Sequence, residues 1–222
     1  MKYLLHIDTS VDTGLIAVSG DGSLLAIRTN TETRNHAATI NIMIKEVLDE
    51  LKISFEHLSA VAVCAGPGSY TGLRIGMATA KGLCYALGKP LILDDRLTLL
   101  AHQSQKKYGY RYTRYVSLLV ARDKEYFIST YTNDLVCTLP PQHIMEEQLH
   151  ELIDKNEKTY IITNAPQEVI NGVKINDFLI DTDIKTDLAA WLSRAYDKYI
   201  CNNIVNLSEA EPFYLKQVYT HK

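Results

Sequence analysis

The sequence predicts an α/β fold built from two βββαβα units, and three observations carry that prediction. First, the apolar run Val61-Ala62-Val63-Cys64 leads into Gly66-Pro67-Gly68-Ser69 and then an unbroken stretch to Gly88-Lys89-Pro90. Strand, glycine turn and helix in that order are the first half of a crossover unit. Second, three short strand-like runs precede the first helical stretch, with Gly20-Asp21-Gly22 turning the second into the third. Third, the same order of elements returns in the second half without any repeat of letters, the pattern of a duplicated unit.

Taken in order, residues 3–9 (YLLHIDT) read as a strand ending in an acid, followed by strands at Gly14–Ser19 and Ser23–Arg28. Residues Ala37–Leu51 read as a helix, with apolar residues at 37, 40, 44, 47, 48 and 51 on one stripe. Ala38, Ile42 and Met43 widen the stripe beyond what one sheet face needs, which suggests a second packing partner or a deeply buried helix. After the strand at 61–64, Ser69 is placed to cap a helix that Gly88 and Pro90 end. Leu91-Ile92-Leu93 forms a further strand, and a helix starts near Asp94-Asp95. The second half repeats the theme with strands near 115–120, 125–131 and 135–138 and a helix through Gln142–Ile153. A strand at Tyr160–Thr163 and a helix from Asp187 to Ile200 complete it. The expected division is a first domain of residues 1–104, with the C-terminal segment 205–222 packed on it, and a second of 105–204.

Composition narrows the function classes. The 222 residues are 46% hydrophobic and 22% charged, ordinary for a globular protein, and the net charge of −3 argues against gripping nucleic acid by charge alone. No apolar run approaches membrane-spanning length, and the N-terminus lacks the apolar core of a signal peptide. Cys64, Cys84, Cys137 and Cys201 have no metal spacing and read as free thiols of a reducing, cytoplasmic compartment.

Gly72 and Gly76 lie inside the glycine helix, each destabilising it by roughly 1 kcal/mol relative to alanine. With Ala80 they share one face, which fits close approach by the chain's own sheet, a partner helix or a ligand phosphate. The phosphate motifs fail: Leu73-Arg74 stands where a P-loop has Lys-Ser/Thr, and Gly66, Gly68 and Gly72 are one residue too widely spaced for a dinucleotide fingerprint.

Other candidate chemistry is sparse. Asp8, before Thr9-Ser10, suits either a metal-dependent ATPase or nuclease, with Glu32, Asp94 or Asp95 as co-ligands, or a strand end bonded to the next loop's amides. His36 has Ile40 where a metal pair needs a second histidine, so helix capping is its simpler role. Lys106–Tyr115 interleaves bases and tyrosines, either an RNA-stacking patch or a solvated linker whose tyrosines lie on the second domain.

Asp8-Thr9-Ser10, Arg34-Asn35-His36 and Gly66-Pro67-Gly68-Ser69-Tyr70-Thr71-Gly72-Leu73-Arg74-Ile75-Gly76 together resemble the bacterial TsaB (YeaZ) family. Ala121–Tyr126 and the tail Ala210–Lys216 are similar to that family's second-domain turn and ending, although Val120 stands where an acid is expected. The resemblance implies an actin-like ATPase (ASKHA) fold of two ribonuclease-H-like domains. It also implies a non-catalytic role in forming threonylcarbamoyladenosine at position 37 of tRNAs reading codons that begin with A. The implied partners are the catalytic paralogue TsaD and the ATPase TsaE. A homodimer is expected when the chain is alone, and tRNA is met only through the complex. No cofactor or metal is expected in the isolated chain, and ATP or ADP belongs to the assembled complex. Pairing through the first-domain helices assigns His36, Ile40, Met43, Gly72, Arg74, Gly76, Met77 and Ala80 to the partner face. Asp8, Gly66, Gly68, Ser69, Tyr70 and Thr71 form the adjoining loop motif. The competing reading is an active actin-like ATPase or small-molecule kinase that uses Asp8.

Overall fold

The computed structural model describes residues 1–31, 35–153, 156–173 and 177–215; Glu32, Arg34 and the tail from Lys216 lie outside them. The described residues form two compact units, Met1–Arg96 with Leu188–Tyr214, and Leu97–Asp187 with Leu215. Each has the α/β, ribonuclease-H-like architecture expected from the sequence.

In the first unit, strands β1 (Tyr3–Asp8), β2 (Gly14–Gly20) and β3 (Ser23–Asn30) precede helix α1 (His36–Leu51). Strand β4 (Leu58–Cys64), helix α2 (Tyr70–Leu87) and strand β5 (Leu91–Asp94) follow. The sheet order is β3-β2-β1-β4-β5, antiparallel across β1–β3 and parallel from β1 through β5. The β2–β3 turn places Asp21 and Gly22 both at positive φ, the geometry a two-residue hairpin needs. Strands β1 and β4 are buried at nearly every position because helices cover both faces. On one side Leu5, Ile7, Val61 and Val63 pack with Ile40, Ile44, Val47 and Met77 of α1 and α2.

The second unit contains α3 (Arg96–Tyr108), from Leu97 onward, then β6 (Arg114–Arg122), β7 (Glu125–Thr132), β8 (Cys137–Met145), α4 (Leu149–Leu152), β9 (Thr159–Thr163), α5 (Gln167–Gly172) and β10 (Phe178–Asp181). Its sheet order is β10-β9-β6-β7-β8. Helix α6 (Leu188–Ile200) then returns to the first unit.

Two expectations are corrected. The helices at the expected domain limits change places: Leu97, Leu100 and Ala101 of α3 pack with Tyr112, Tyr115 and Tyr160 of the second unit. Helix α6 is drawn to the first unit by Asp94, whose carboxylate accepts bonds from Trp191, Arg194 and Lys198. The segment Gln142–Met145, expected as helix, is strand, because Gln142, His143, Ile144 and Met145 pair with Ile128, Phe127, Tyr126 and Glu125 of β7. The terminal segment joins the first unit as far as Tyr214, with Val205 bridged antiparallel to Leu91. No helix among the described residues is long and apolar enough to cross a membrane.

On the α6 side of the first sheet, His6 is completely buried, meets Trp191 edge-on at 5.2 Å and shares a 2.9 Å hydrogen bond with Ser19 Oγ. Burial pushes its imidazole down from 6.5 to about 3. The unfolded chain therefore binds one more proton between those values, and stability from a neutral His6, fully present above the unfolded value, is lost as pH falls. Each pH unit in that window removes about 1.4 kcal/mol. Urea unfolding between pH 6.5 and 4 is expected to flatten by one proton in His6→Gln; an unchanged slope would assign the acid sensitivity elsewhere.

Candidate functional site

The glycine loop and α2 are seated on the end of β1. Ser69 caps α2, its Oγ accepting from Gly72 N at 3.2 Å, and Ser69 N donates to Ser10 O at 2.7 Å. Thr9 Oγ1 donates to Gly72 O at 2.7 Å. A Cβ at Gly68 would lie 2.0 Å from Ser10 O, one at Gly72 1.9 Å from Thr9 O, and one at Gly76 2.4 Å from Thr9 Oγ1. These glycines let a helix start lie directly on the backbone that follows β1.

That contact uses, within the chain itself, residues expected on a partner face. Gly72, Gly76, Met77 and Ala80 are buried in α2, as are His36, Ile40 and Met43 in α1, with Ala80 fully inaccessible. Of the eight residues assigned to a partner, only Arg74 is exposed. His36 opens α1 without capping it; its ring lies against Gly14, where a Cβ would come 2.8 Å from Nδ1. The i, i+4 small-residue pattern identified a close approach correctly but not which body approached.

The loop motif divides into buried and exposed residues. Asp8 is buried, with Oδ1 accepting from Ser10 N at 2.8 Å. This is the strand-end arrangement, and Asp94, its suggested co-ligand, is committed to Trp191, Arg194 and Lys198. Among the described residues, no group of three His, Cys, Asp or Glu is placed to hold a metal ion. Burial and the Asp8 carboxylate push the neighbouring Cys64 thiol well above its ordinary value, so it is not a reactive thiolate. Gly66 and Pro67 are buried, while Gly68, Ser69, Tyr70 and Thr71 are exposed. Arg74 lies 4.1 Å over the Tyr70 ring and donates to Tyr214 Oη at 3.0 Å, which ties the C-terminal segment to α2.

The exposed surfaces of α1 and α2 present a different set. Helix α1 offers Ala38 and Ile42, the latter 58% exposed. Helix α2 offers Arg74, Ala78, Gly82 and Tyr85, and Tyr85 is 84% exposed. A Cβ at Gly82 would have no neighbour within 4 Å among the described residues. A largely apolar hollow of about 610 Å³ lies beside Gly82 and Tyr85, walled by Asn206, Leu207 and Ser208. Sequence reasoning missed Gly82 and Tyr85; the spacing of Ala78 and Gly82 by four was the available signal.

The tyrosine-rich Lys106–Tyr115 stretch divides in a way that weakens RNA stacking. Tyr112 and Tyr115 are buried core residues beside Tyr160, and only Tyr110, at 72%, stands clear.

Comparison with known proteins was consistent across sequence and structure. The family model described as TsaD: tRNA N6-adenosine threonylcarbamoyltransferase matches residues 24–179. The chain is 26% identical over 237 residues to the tRNA threonylcarbamoyladenosine biosynthesis protein TsaB of Haemophilus influenzae, covering 99% of this chain and 95% of that one. It is 31% identical over 131 residues to TsaB of Escherichia coli K12, covering 59% of this chain and, at 55%, about half the length of that relative. The structure of YeaZ from Pseudomonas aeruginosa has the same fold, with a TM-score of 0.78 over 97% of this chain and 100% of that one at 22% identity.

Proposed function

The chain belongs to the TsaB (YeaZ) family, and on that premise we propose that it is a non-catalytic subunit in tRNA threonylcarbamoyladenosine biosynthesis. It pairs with a TsaD-like paralogue through the outer faces of α1 and α2 and so supports threonylcarbamoyl transfer to tRNA by that partner. Nucleotide, TsaE-like ATPase and tRNA are met in the assembled complex, and the same face pairs two copies when the partner is absent.

Gly82 carries this reading. A glycine inside a helix is destabilising by roughly 1 kcal/mol relative to alanine, and no atom of the described residues lies where its side chain would be. Close approach by another backbone gives the missing side chain a use. Ala78 extends the same face, and Tyr85 and Ile42 supply exposed apolar anchors beside it. Two such helices from each of two chains form a bundle, and a standard interface of about 1,200–2,000 Å² suits them. The non-catalytic assignment is supported by the internal commitments of Asp8 and Asp94.

The test uses Gly82→Leu and Tyr85→Asp, which change only exposed positions. Tyr85→Asp is expected to keep the parent's thermal midpoint and Gly82→Leu to keep or raise it, while both weaken co-purification with the TsaD-like subunit at least tenfold. Unchanged affinity in both would remove this face from the pairing. Turnover of Mg-ATP by the isolated chain, lost in Asp8→Asn, would overturn the non-catalytic assignment.

A further inference from the structure

A second hollow, of about 390 Å³, opens in the second unit between the C-terminal half of α3, β9 and the segment following β10. That volume falls within the roughly 300–1,000 Å³ of small-molecule sites. Its walls are held by their own polar network. Tyr160 Oη donates to Asp181 Oδ2 at 2.5 Å, and Asp181 Oδ1 accepts from Asp183 N at 2.9 Å. Gln103 grips the opposite wall through both amide atoms, Nε2 donating to Lys185 O at 2.9 Å and Oε1 accepting from Asp187 N at 2.6 Å. Burial, then the bond to Asp181, push the Tyr160 phenol far above its ordinary value. Burial works to raise Asp181, but its bonds from Tyr160 and Asp183 N, with Lys107 nearby, hold it below the usual carboxylate range. The proton therefore stays on Tyr160, and Asp181 remains a structural anion.

What this network leaves unused decides the ligand. Three lysines and three aspartates line the hollow. Lys107 faces Asp181 at 3.5 Å, whereas the ammonium groups of Lys106 and Lys185 have no ion pair among the described residues. Asp183 uses Oδ1 to accept from Lys185 N at 3.2 Å, and its Oδ2 has no such bond among the described residues. A polyanion gains no net attraction from a lining of balanced charge, and a simple anion or cation leaves the opposite charge unmatched. A molecule carrying both charges matches both.

We propose that this hollow binds a small zwitterion of the α-amino acid class, its carboxylate taken by Lys106 and Lys185 and its ammonium by Asp183. The exposed rim makes the complex weak and fast-exchanging. Titration of the isotope-labelled full chain, followed by amide chemical shifts, is the suitable measurement. Glycine and L-alanine are the probes, ethylamine and propionate the single-charge controls, with inorganic phosphate and an RNA hairpin as separate arms. The expected result is saturable shifts confined to residues 103–107 and 183–187 with the amino acids and not with the single-charge controls. Lys185→Ala is expected to weaken binding about tenfold, the effect of one charge-assisted bond, with an unchanged thermal midpoint. The same loss is expected for Asp183→Asn. Absence of shifts with both amino acids, an equal response to phosphate or RNA, or undiminished binding by Lys185→Ala would overturn the proposal.

Discussion

Asp94→Ala is expected to destabilise the first unit by about 3–5 kcal/mol, because it removes the buried carboxylate that two partly buried cations and an indole N–H share. The Asp94 side chain is fully inaccessible, with Arg194 Nε at 3.0 Å, Lys198 Nζ at 2.6 Å and Trp191 Nε1 at 3.1 Å. Without it, two cations and an indole N–H on α6 lose the carboxylate they share at the end of β5. Asp94→Asn retains an acceptor for the indole but not the charge, so its loss should be smaller. Trp191 is the sole tryptophan, so its fluorescence reports directly on the seating of α6 during urea unfolding. A loss below about 1 kcal/mol in Asp94→Ala would mean that apolar burial of Trp191, rather than the carboxylate, holds α6 in place.

Local signals made much of the fold legible. Ser69 and Gly88 marked both ends of α2, because capping and the left-handed stop are chemistry of single residues. Gly20-Asp21-Gly22 marked the hairpin for the same reason. The helix expected over Gln142–Ile153 was misread because its first residues belong to an edge strand whose pairing with β7 is non-local. The short α5 and β10 gave too little periodicity to register. Exchange of α3 and α6 between the units was equally hidden, since it depends on Asp94 meeting residues about a hundred positions away. The exposed faces of α1 and α2 were half legible. Ala38 and Ile42, noted as surplus to the apolar stripe of α1, are indeed exposed. On α2 the glycine pattern pointed at the buried side, because spacing by four is the same whether a sheet or another chain fills the gap.

Two glycines ten residues apart on α2 are therefore expected to respond in opposite directions to the same substitution. At Gly72 an alanine methyl would overlap the Thr9 carbonyl oxygen, at 1.9 Å from its Cβ. The oxygen belongs to backbone and cannot rotate away. The start of α2 must lift off β1, straining the Thr9 Oγ1 bond to Gly72 O and the Ser69 cap. Overpacking of this kind typically costs about 1–3 kcal/mol and occasionally more; against backbone the upper end applies, even after the gain of about 1 kcal/mol in helix propensity. At Gly82 the methyl meets nothing within 4 Å among the described residues, so only the propensity gain remains and the chain should become more stable by up to about 1 kcal/mol. The distinction bears on function, because only Gly82 joins a gain in isolated stability to an expected loss of pairing once its side chain is large. Chemical denaturation of Gly72→Ala and Gly82→Ala measures the two signs. If Gly82→Ala instead destabilised the isolated chain, the glycine would have an internal structural use, and the inference that another backbone approaches it would fail.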